Sequence, residues 1–86
     1  MSLSSHYEIF SYVKENFSDI LSNIDHLAGD IFGYVKNTHK PIIFFYAHDT
    51  DDCIGISLVY DDRTLKTHFP CNDLESIKKY LIEECA

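Results

Sequence analysis

Ile42-Ile43-Phe44-Phe45-Tyr46-Ala47-His48, Ile54-Gly55-Ile56-Ser57-Leu58-Val59-Tyr60 and Thr64-Leu65-Lys66-Thr67-His68-Phe69 are three short runs whose pairing decides the fold. The first is rich in β-branched and aromatic residues, and the other two alternate apolar with polar, so each predicts a strand. Asp49-Thr50-Asp51-Asp52 and Asp61-Asp62 separate them, and aspartate suits turns because its carboxylate bonds its own backbone. Pro70 ends the set.

A register follows from the loops. Closing the first hairpin with His48 opposite Cys53 sets Ala47 against Ile54, Phe45 against Ile56 and Ile43 against Leu58. Closing the second around Asp61-Asp62 sets Leu58 against Leu65, Ile56 against Thr67 and Ile54 against Phe69. The expected core face is then Ile43, Phe45, Ala47, Ile54, Ile56, Leu58, Leu65 and Phe69. A slip of one residue in either hairpin would exchange the faces. The opposite face carries Phe44, Tyr46, His48, Cys53, Gly55 and His68 among others, a mixed surface.

Outward from the strands, both flanks read as helix. Ser5-His6-Tyr7-Glu8 has the spacing of a capping box. Phe10, Val13, Phe17, Ile20, Leu21 and Ile24 then recur at three-and-four spacing. Asp25 offers a second cap, and Leu27, Ile31, Tyr34 and Val35 make a shorter helical stripe ending near Asn37. After Pro70, Asn72-Asp73-Leu74-Glu75 opens a last helix with Leu74, Ile77, Leu81 and Cys85 on one face. The expected fold is α+β, in the order α-α-β-β-β-α, a three-stranded antiparallel meander packed against helices. The 86 residues form one domain, 1–86.

Seven Lys plus Arg against fourteen Asp plus Glu give a net charge of −7. That balance argues against nucleic acid, whose binding depends on neutralising phosphates, and against anionic membranes. It favours a partner protein with a basic surface. No apolar run reaches the roughly 20 residues that cross a bilayer, and the first residues lack a signal-peptide pattern. Three cysteines without CxxC spacing point to reduced thiols, so the cytoplasm is the expected compartment.

Three constellations carry chemistry. His48, Cys53 and His68 share the second face in this register and have the ligand types of a zinc site, or of a thiol with a histidine base. Compact metal spacing is missing, so no metal or other cofactor is expected. Asp49, Asp51 and Asp52 open like a calcium loop, but the required glycine and distal glutamate are absent. With Asp73 and Glu75 these aspartates instead make an acidic patch at one end of the sheet. Phe44 and Tyr46 offer aromatic anchors on the second face.

The expected function is a small acidic, non-enzymatic binding protein, of inhibitor, immunity or regulatory type. It would dock through Asp49, Asp51, Asp52, Asp73, Glu75, Phe44 and Tyr46 on a basic partner. The alternatives are the metal or thiol site at His48, Cys53 and His68, and a subunit that homodimerises through its second sheet face.

Overall fold

Ile9, Val13 and Phe17 recur every fourth residue, so one flank of a helix carries all three, and each is 1–2% exposed. Burying each contributes about 1.5–3 kcal/mol. The helix they anchor, α1, runs His6–Phe17. The Ser5 hydroxyl accepts from the Glu8 amide at 3.3 Å, the amide half of the expected capping box. At the other end the Ser18 hydroxyl donates back to the Lys14 carbonyl. The computed structural model describes residues 5–47 and 53–85.

Five strands follow: β1 Leu21–Leu27, β2 Asp30–Val35, β3 Pro41–Ala47, β4 Cys53–Val59 and β5 Thr64–Pro70. A closing helix, α2, spans Leu74–Cys85. All neighbours pair antiparallel in the order β1-β2-β3-β4-β5, an open meander. The α+β class and antiparallel sheet are as expected from the sequence, but the sheet has five strands rather than three.

The difference lies in residues 20–37. Ile20, Leu21 and Ile24 do not extend α1, and the expected second helix is a hairpin. Leu27 pairs with Asp30, so Ala28-Gly29 is a two-residue turn. Both have positive φ, +53° and +88°, as a type I′ turn requires. Within the hairpin Ile31, Gly33 and Val35 are buried while Phe32 and Tyr34 are more exposed, the period-two pattern of a strand. A bulge places Asn23 and Ile24 opposite Gly33, with Asn23 at φ +54°. Gly33 is needed there: a Cβ would lie 3.1 Å from the Ser22 carbonyl oxygen and 3.5 Å from the Ile24 side chain.

The second hairpin has the expected register, with Leu58 opposite Leu65, Ile56 opposite Thr67 and Ile54 opposite Phe69. Its turn closes through the Tyr60 amide on the Arg63 carbonyl, 2.8 Å. The first hairpin is shifted by one residue. Ala47 pairs with Cys53, so Tyr46 faces Ile54, Phe44 faces Ile56 and Ile42 faces Leu58. Residues 48–52 connect the strands, one more than the four of Asp49–Asp52. The slip exchanges the faces of β3. Ile42 and Phe44 enter the core, and Ile43 and Phe45 take the other side.

Both helices lie on one face of the sheet. α1 packs over β1, β2 and β3. Ile77, Leu81 and Cys85 of α2 join the same buried cluster, which includes Leu21, Ile31, Ile42, Phe44, Ile54 and Ile56. Tyr80 leans on Phe69, ring centroids 5.4 Å apart, and its hydroxyl accepts from Thr67 at 3.3 Å. The described residues therefore form two layers, and among them no helix covers the second sheet face.

Candidate functional site

Two surfaces follow from this architecture. The first lies between the helices. Tyr7, Ser11 and Glu15 are four residues apart, as are Glu8 and Tyr12, so they share the flank of α1 that meets the first turn of α2. With Leu74, Glu75 and Lys78 they line a groove of about 620 Å³. The Tyr12 hydroxyl donates to the Leu74 carbonyl across it at 3.4 Å. Burial, reinforced by the nearby Glu75 carboxylate, pushes the Tyr12 hydroxyl pKa above its ordinary value. Tyr7 is 63% exposed at the rim.

Three carboxylates against one ammonium make this groove acidic. Its side chains suit a guanidinium or ammonium group: carboxylates to accept charge-assisted hydrogen bonds, and phenol rings for cation–π contact. Its lining includes neither histidine nor cysteine, so Ser11 has no imidazole base there.

The second surface is the bare sheet face. Asp25, Phe32, Ile43, Ser57 and Lys66 stand side by side in one row across all five strands. In the next row Phe45 lies opposite Gly55, which lies opposite His68. The Phe45 ring covers Gly55, and the His68 ring meets its edge at 5.7 Å between centroids. Leu27 at 70% exposed and Tyr34 at 42% complete the apolar area.

The residues expected to bind a partner separate in the structure. Phe44 is 1% exposed beneath the helices, and Tyr46 is partly buried on that face, so neither stands on the second face. The shifted register of β3 is the reason. Asp73 caps α2, its carboxylate accepting from the Ser76 amide at 3.3 Å. Glu75 lines the groove. Asp49, Asp51 and Asp52 lie outside the described residues, as do His48 and the side chain of Cys53. His68 stands on the bare face. Among the described residues no three His, Cys, Asp or Glu side chains are grouped to hold a metal ion. Nor is any described helix long and apolar enough to cross a membrane.

Ser11 and Glu15 were not singled out by the sequence, and Tyr7 and Glu8 were read only as part of a helix cap. Their signal, polar four-residue spacing on the flank of α1, is that of any solvated helix face until α2 is set beside it. No protein-family model, curated protein or solved structure matches the chain.

Proposed function

We propose that this chain is a non-catalytic binding domain whose acidic interhelix groove docks a basic segment of a partner protein. The observation that carries the reading is the groove itself: Glu8, Glu15 and Glu75 around Tyr7 and Tyr12, in a chain of net charge −7. Long-range attraction would speed encounter, and the groove would hold an arginine or lysine side chain between carboxylate and ring. Glu75 belongs to the docking surface in this reading, while Asp73 serves its helix.

The test is a titration of the isotope-labelled chain with a capped nonapeptide of alternating arginine and alanine, followed by NMR. Amide shifts should concentrate at Tyr7, Glu8, Tyr12, Leu74, Glu75 and Lys78. Affinity should fall as salt rises, because the Debye length shortens from about 10 Å at 0.1 M. The triple change Glu8→Lys, Glu15→Lys, Glu75→Lys should weaken binding at least about tenfold, with Asp61→Lys as the control at an unrelated turn. Shifts centred on residues 49–52, or on the bare sheet face, would overturn the groove as the docking site. So would a triple variant that binds like the parent.

A further inference from the structure

The bare sheet face has an unusual distribution of charge. Its acids, Asp25 and Asp30, lie on β1 and β2, and its ammonium group, Lys66, lies on β5 at the far edge. Between them Ile43 and Phe45 of β3, and Gly55, Ser57 and Val59 of β4, carry no charge. The face is thus negative at one edge, apolar in the middle and positive at the other. Neither Asp25 nor Lys66 has an ion-pair partner among the described residues. The Asp25 Oδ1 accepts from the His26 amide at 2.8 Å.

We propose that this face is the contact between two copies of the chain, stacked sheet on sheet about a two-fold axis that runs along β3. An isologous contact must be complementary to itself. An axis parallel to the strands reverses their order in the facing copy, so β1 of one copy stands over β5 of the other. Asp25 then meets Lys66 of the second copy, and Lys66 meets Asp25, giving two identical pairs. Ile43 and Phe45 lie at the axis, against themselves. The other in-plane axis, perpendicular to the strands, would set β1 on β1 and β5 on β5, acidic edge on acidic edge and Lys66 edge on Lys66 edge. The pairing of Asp25 with Lys66 therefore favours a second copy as the occupant and the axis along the strands over the one across them.

Flatness favours the same contact. The Phe45 ring lies down over Gly55 instead of standing off the sheet, and packed sheets approach to about 10 Å. Five strands at about 4.8 Å, of six or seven residues at about 3.3 Å, present roughly 480 Å² of projected area per copy. Two such faces bury about 1,000 Å², at the small end of specific interfaces. An interface of this size belongs with the weak, concentration-dependent associations. Both acidic grooves, on the helical layer, stay accessible in it, and the inference does not depend on their function.

The experiment is sedimentation velocity on the full chain from about 1 µM to 1 mM, with far-UV circular dichroism and a thermal melt for every variant. The parent should pass from monomer to dimer across that range. Asp25→Lys alone and Lys66→Asp alone should each weaken association at least about tenfold, since each creates two like-charge pairs. An equimolar mixture of the two variants should dimerise again, because both of its cross-contacts join Lys to Asp. The double variant Asp25→Lys, Lys66→Asp should also dimerise as the parent does. Both positions are exposed, so the variants should keep the parent fold. A parent that stays monomeric at 1 mM overturns the proposal. So does a dimer indifferent to the single changes, or a mixture no more associated than its components.

Discussion

Phe45 lies across Gly55, its direct neighbour on β4, so closely that a Cβ at position 55 would overlap the Cζ and Cε atoms of the ring. The ring can answer only by swinging off the sheet. Gly55→Ala should therefore lower stability by about 1 kcal/mol, the lost ring packing outweighing alanine's better strand propensity. Urea unfolding gives the energy. The ring resonances of His68, which now sense the Phe45 ring, should shift in the same variant.

Ala28 occupies the first position of a type I′ turn at φ +53°, where an L-residue other than Asn, Asp or Gly is strained. Ala28→Asn should raise stability by about 0.5–1 kcal/mol. Gly29, at φ +88°, has open space where a Cβ would sit, so Gly29→Ala tests the backbone alone and should cost about 1 kcal/mol. Opposite shifts of the urea midpoint for the two adjacent changes are the expected result.

Asp73 and Glu75, two residues apart, should separate in their effects. Asp73→Ala removes the cap of α2 and should cost about 1 kcal/mol. Glu75→Ala leaves the fold within about ±0.5 kcal/mol, since Glu75 is exposed. In the peptide titration the order should reverse, with Glu75→Ala the more damaging change.

Cys85 is 2% exposed, and burial, with Glu84 nearby, pushes its thiol from 9.0 to about 11. At pH 8 only roughly 0.1% of it is thiolate. Site-resolved alkylation should label the partly exposed Cys71 promptly and Cys85 only on unfolding. The raised pKa means that the folded state holds this proton more tightly than the unfolded state does. The stability linked to it is intact below pH 9 and declines as pH climbs toward 11. Burial raises Tyr12 and Tyr80 as well, which act in the same direction. Urea midpoints measured from pH 7 to 11 should stay level to about 9 and then fall.

The sequence carried the β4–β5 register because two-residue aspartate chemistry and clean alternation agree there. It misplaced β3 by one residue because Ile42-Ile43 and Phe44-Phe45 are apolar on both faces. Alternation could not choose between them, and the choice fell on loop length. Leu27, Ile31, Tyr34 and Val35 satisfy helical spacing as well as they satisfy a hairpin, and Ala28 hid a turn that asparagine would have announced. The capping residues of both helices were legible because capping is local. The groove was not, since it exists only where two helices distant in sequence lie side by side.

Each strand pairs only with the one before or after it, so the sheet can form by zipping successive hairpins without closing a long loop. The contact between the Tyr12 hydroxyl and the Leu74 carbonyl is of another kind, joining positions 62 residues apart. Its entropy of closure is met only after the strands between have ordered. That order makes the helix pair a latch set late in folding. A defect there would leave the folding rate almost untouched and shorten the lifetime of the folded chain, because its cost falls on the unfolding step.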